Sequence, residues 1–139
     1  MVKKMLIFVL FFLIASSVTV YAETWRQYRD RAHTMERRSG DFVSRTHHNT
    51  WCVDTWGALI ATSAWLIGAF DNISRNFPGL SAEEREIYRR IANRRRAITD
   101  DFQTLVRLTH PHQNTRNRIA DRIDHWGGHL VNGGLIIFN

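Results

Sequence analysis

The chain has 139 residues, 44% of them hydrophobic, with 19 Lys+Arg against 13 Asp+Glu and a net charge of +6. That length allows one domain around a single hydrophobic core. A lone cysteine excludes an internal disulfide framework, and the lack of Cys-x-x-Cys-His excludes covalently attached c-type haem.

Lys3 and Lys4 precede an uninterrupted apolar run from Met5 to Ala15, and Ser16-Ser17-Val18-Thr19 leads into Val20-Tyr21-Ala22. A positive start, an apolar centre and small residues at Val20 and Ala22 are the layout of a secretory signal peptide. Residues 1–22 are expected to be removed, leaving 23–139 as a single α-helical domain. The expected location is periplasmic or secreted, and membrane-anchored if the apolar run stays uncleaved. Both lysines of the chain lie in that segment. Residues 23–139 therefore have 17 basic residues, all arginine, against 13 acids, a net of +4. The guanidinium fork pairs bidentately with carboxylate or phosphate and stacks on aromatic faces.

Taken in chain order, Trp25, Tyr28, Ala32 and Met35 recur at helical spacing and predict a first helix over 24–38, ended by Ser39-Gly40. Asp41 is placed to cap a second helical region reaching about Asn76. The polar stretch His47-His48-Asn49-Thr50 predicts a break in it, with Asn49 or Thr50 as a new cap. Trp56 to Phe70 has no charged residue. At 1.5 Å per residue this run spans about 22 Å, short of a bilayer core, and suits the covered central helix of a bundle. Gly57, Ala61, Ala64 and Gly68 share one stripe. They predict a close helix–helix approach, inside one bundle, in a homodimer or in a membrane assembly.

Phe77-Pro78-Gly79 is a stop signal. Ser81 and Glu84 form a capping box for a third helix, with Ile87, Ile91, Ile98, Phe102 and Leu105 as its apolar face and an end near His110-Pro111. Asn114 is placed to cap a fourth helix with Ile119, Ile123 and Trp126 inward, weakened or ended at Gly127-Gly128. The tail from His129 reads either as a hairpin turning at Asn132-Gly133 or as a frayed helix. The expected fold is all-α, a small bundle of three to four helices after the signal peptide.

Cys52, between Trp51 and Val53, reads as a buried small hydrophobe or as one half of an intermolecular disulfide. His125 and His129 form an i, i+4 pair that suits a divalent metal such as zinc, with Asp121 one turn away as an added ligand. Otherwise no cofactor is expected. There is no Gly-x-Ser-x-Gly elbow, His-Glu-x-x-His motif or phosphate loop, and the chain reads as non-enzymatic. Asn72-Ile73-Ser74 fits the N-glycosylation acceptor pattern.

The densest basic stretch is Arg89-Arg90 with Arg94-Arg95-Arg96; Arg85, Arg89 and Arg96 share a side and Arg95 points elsewhere. An export signal argues against a nucleic-acid partner. The expected binding residues are Arg85, Arg89 and Arg96 together with Trp51, Trp56 and Trp65, against a protein partner or an anionic envelope surface, with a homodimer and membrane contact as further options. Leu80-Ser81-Ala82-Glu83-Glu84 resembles the Leu-Thr-x-x-Gln motif of the Spy family of periplasmic chaperones, with Ser for Thr and Glu for Gln. The resemblance covers five residues and implies a small basic helical protein that holds unfolded clients on a cradle. The primary expectation is an exported helical binding protein. The alternatives are a membrane-anchored or membrane-active envelope component and a metal-binding or chaperone-like stress protein.

Overall fold

A computed structural model describes residues 23–134. The signal-peptide segment 1–22 and residues 135–139 of the tail lie outside the described residues. Within them the chain forms α1 (Trp25–Arg45), a 3₁₀ turn (His48–Thr50), α2 (Val53–Asn76), α3 (Ala82–Thr109) and α4 (Gln113–Val131), with no strand. The all-helical expectation holds in this span.

Helix α2 is central and packs on each of the other three. Trp25 meets Phe77 at one end of the α1–α2 pair, and Phe42 meets Trp51 at the other, so these two helices are antiparallel. Phe70 stacks on Tyr88 and Trp56 meets Phe102, which sets α3 antiparallel to α2 as well. The apolar residues of α2 fill two clusters. One holds Leu66, Phe70 and Ile73 with Ala32, Met35, Ala92 and Leu130. The other holds Trp56, Leu59 and Ile60 with Trp51, Phe102, Val106 and Ile119. Each large side chain so buried contributes about 1.5–3 kcal/mol.

Capping fixes several element ends. Thr24 and Gln27 form a capping box at the start of α1. Ser81 and Glu84 do so for α3, as expected. The five residues that resemble the chaperone motif are this capped entry. Gly79 has φ +83°, the conformation that a turn after Pro78 requires. Gly133 also has φ +83°, and the amides of Gly133 and Gly134 donate to the carbonyls of Leu130 and His129, a Schellman ending for α4. Leu130 and Val131 are helical, so the hairpin alternative for the tail fails at its first strand.

Several boundaries differ from expectation. Helix α1 runs through Ser39-Gly40 to Arg45, because Met35 and Ser39 are buried and Phe42 and Val43 pack on the second cluster. Helix α4 continues through Gly127-Gly128, carried by Leu130, which is fully buried. Cys52 precedes α2 and His112 precedes α4 where Asn49, Thr50 and Asn114 were expected. Helix α2 is 24 residues long, so the charge-free run undercounts it. By length and composition alone it is able to cross a membrane, but 61% of its most apolar window is buried against the other helices. The inward stripe of α3 is also rotated. Ile87 is 50% exposed, while Ala92, Arg95, Thr99, Phe102 and Val106 are buried.

Candidate functional site

The small-residue stripe of α2 divides. A Cβ on Gly57 would meet Arg122 side chain and backbone, so α2 and α4 touch there. Ala61 is buried, whereas Ala64 is exposed and Gly68 faces open space.

The six expected binding residues do not form one surface. Trp51 and Trp56 are core residues near the start of α2, with ring centroids 4.7 Å apart, both packed edge-on to Phe102. Their assignment to a contact surface is corrected by this burial. The Trp51 indole N–H donates to Thr46 Oγ1 at 3.0 Å and ties the α1–α2 connection together. Trp65 is half-buried, with the Arg31 guanidinium 4.7 Å above its ring and Tyr28 against its edge.

Arg85 is likewise structural. Its guanidinium donates to the carbonyls of Ser74, Arg75 and Phe77 at 3.0, 3.3 and 3.1 Å. It thereby satisfies the C-terminal carbonyls of α2, which have no partner within the helix. Arg89 and Arg96 lie on the exposed side of α3.

On and beside that side three carboxylates are each shared between two guanidiniums, while α3 also exposes Glu83, Glu84, Asp100 and Asp101. Glu86 receives a bidentate pair from Arg89 at 2.6 and 2.8 Å, and a further bond from Arg90 at 3.1 Å. Glu36 of α1 pairs with Arg94 at 2.6 Å and with Arg95 at 3.8 Å. Asp71 of α2 pairs with Arg75 at 3.4 Å and Arg96 at 3.8 Å. Three carboxylates thus serve six guanidiniums. Arg90 and Arg94 remain 76% and 65% exposed, so their remaining N–H donors face water. Beside Glu36, Arg37 and Arg38 make no ion pair among the described residues. The two arginines on Glu86 hold its carboxyl down to about 2.

Arg95, expected to point away, is 5% exposed and sits under this face. Its Nη2 donates to the Glu36 carbonyl at 3.2 Å, its Nε has no partner, and burial pulls its pKa down. Sequence pattern alone missed it, because its partner is 59 residues away. Beside it, Ser63 and Thr99 share a buried hydroxyl–hydroxyl bond of 2.7 Å between α2 and α3.

Cys52 is exposed, not buried as one expectation held. The Thr55 hydroxyl 3.4 Å from its Sγ, together with the Thr55 backbone, holds the thiol below its usual range. His125 and His129 are both exposed, with ring centroids 4.9 Å apart, because α4 does not break between them. No group of three or more His, Cys, Asp and Glu able to hold a metal occurs among the described residues, so Asp121 adds no third ligand in this arrangement. Asn72 Oδ1 accepts from Asn76 Nδ2 at 2.7 Å, and the adjoining Ile73 is fully buried within a helix. That is a poor setting for a glycan acceptor, which needs an exposed loop.

Comparison with protein-family models, with curated proteins and with solved structures finds no match.

Proposed function

We propose that this chain is an exported, non-enzymatic helical protein that works by contact. The arginine face of α3, with Arg37 and Arg38 of α1, docks on an acidic protein surface or on an anionic component of the cell envelope. The observation that carries the proposal is the sharing of Glu36, Asp71 and Glu86, each between two arginines. A carboxylate shared between two arginines leaves part of each guanidinium unpaired on a solvated face. This one holds guanidiniums in ordered positions with donors to spare, and an anion bearing several phosphates or carboxylates completes them. Export supports an envelope partner over a nucleic acid.

The test is a titration with inorganic polyphosphate, a dense phosphate probe, at low and at physiological salt. Wild type binds saturably, and more weakly as salt screens the attraction. The triple variant Arg89→Gln, Arg90→Gln, Arg94→Gln binds at least about tenfold more weakly, since each lost charge-assisted bond contributes about 1.5–3 kcal/mol. Equal affinity of the variant and wild type contradicts the proposal. Export is tested by intact mass after expression in a bacterial host, where residues 23–139 are the expected product.

A second reading, a membrane-anchored envelope component, draws on the length and apolar character of α2. Retention of residues 1–22 with resistance to carbonate extraction favours it.

A further inference from the structure

Helix α4 runs unbroken through Gly127-Gly128 to Val131, which puts His125 and His129 one turn apart on one face. Both rings are exposed, and their centroids lie 4.9 Å apart with the planes at 75°. Trp126 backs the pair, its ring 5.4 Å from His125 and 5.5 Å from His129. Neither imidazole makes a hydrogen bond or ion pair among the described residues. The chain has seven histidines, and the others are placed differently. His33 is bonded to the Tyr88 hydroxyl at 2.9 Å, while His48 and His110 lie against the Trp51 and Trp56 rings. Among the described residues only His125 and His129 meet ring to ring.

That spacing fits one ion held by both rings. A ligating imidazole nitrogen lies about 2.0–2.1 Å from a divalent ion and its ring centre about 1.1 Å beyond, so two rings meeting one ion at roughly 90–110° have centres about 4.5–5.2 Å apart. The observed 4.9 Å falls inside that window. Because both rings are exposed, turning a nitrogen toward the shared point costs no core contact. His129 also lies in the last turn of α4, where the helix carbonyls carry partial negative charge. Asp121 and Asp124 are exposed on the same helix and make no ion pair among the described residues. Both features favour a bound cation. We infer that His125 and His129 chelate one divalent metal ion of borderline softness, Cu²⁺ in preference to Zn²⁺. Structural metal sites close every position with protein ligands, whereas this one leaves the remaining positions to water, so its ion exchanges. The chelate also spans Gly127 and Gly128, the poorest helix formers after proline. Loading therefore firms the turn that carries Leu130 into the first cluster. The inference stands apart from the polyanion face, which uses none of these residues.

The experiment titrates the purified, untagged protein with copper(II) chloride, followed by calorimetry, electron paramagnetic resonance and amide NMR. One equivalent is expected to bind saturably, with two nitrogen ligands in the resonance spectrum and paramagnetic broadening centred on residues 125–132. Zinc(II) chloride binds the same residues more weakly and slows amide exchange at Gly128 and His129. His125→Ala and His129→Ala each weaken copper binding by at least about tenfold, since either leaves a single ligand. Both side chains are exposed and alanine favours a helix, so the variants keep the fold. The paired variants His47→Ala, His48→Ala and His110→Ala, His112→Ala keep wild-type affinity. Unchanged affinity in His125→Ala or His129→Ala, a single nitrogen ligand, or broadening centred on His47–His48 or His110–His112 overturns the inference. So does the absence of saturable binding.

Discussion

Gly57 and Gly68 lie on the same side of α2 and meet opposite surroundings. Gly57 touches Arg122 of α4, and a methyl there forces two helices apart. Gly57→Ala is expected to destabilise by about 1–3 kcal/mol. Gly68 faces open space within a helix. Gly68→Ala is expected to stabilise by about 0.5–1 kcal/mol, because alanine loses less backbone entropy on folding. Chemical denaturation of the two variants reads both signs at once, and a common sign contradicts the packing described. At Arg95 the buried cation has an orphaned Nε and one close acceptor, so the site holds its charge at a cost. Arg95→Met, of similar length and apolar, is expected to be neutral or mildly stabilising. Glu36→Ala is expected to cost about 1–3 kcal/mol by stripping the cation of its counter-charge. Cys52 is exposed with its thiol held below the usual range, so it alkylates in the native state without denaturant. Labelling only after unfolding contradicts its placement.

At the scale of elements, α3 is fastened at its start by two devices of different origin. The Ser81–Glu84 box is local, and Ser81→Ala is expected to cost about 1 kcal/mol. Arg85 reaches back to the last carbonyls of α2. Arg85→Gln should therefore lower thermal stability yet leave polyphosphate affinity unchanged, the reverse of the pattern for Arg90→Gln. Glu86 supplies a pH signature. Its folded carboxyl titrates at about 2 against an ordinary 4.5, so it is depressed on folding. The stability it contributes is fully present above pH 4.5 and is lost as pH falls from there through about 2. Carboxyl NMR of Glu86 reads this directly, and a midpoint near 4.5 contradicts the double arginine pairing.

Across the whole molecule, what was legible in the sequence was what depends on near neighbours. The capping box, the Phe77-Pro78-Gly79 stop and the inward Ile119 all involve residues within a turn or two of each other. What was not legible depends on partners far along the chain. Ser39-Gly40 and Gly127-Gly128 look like ends, but Met35, Phe42 and Leu130 bury against other helices and carry the backbone through. Trp51 and Trp56 look like surface anchors until Phe102, some fifty residues on, closes over them. The arginines of α3 look alike as letters; only the fold sorts Arg85 into a cap, Arg95 into the interior and Arg90 and Arg94 into solvent. On the proposed reading the contact face is the side of α3 that carries Arg90 and Arg94. Amide NMR mapping of the protein with polyphosphate tests it most directly. The account predicts shifts confined to the Arg89–Arg96 stretch and to Arg37–Arg38, with Trp51 and Trp56 unmoved. Shifts centred instead on the tryptophans or on the His125–His129 face would contradict it.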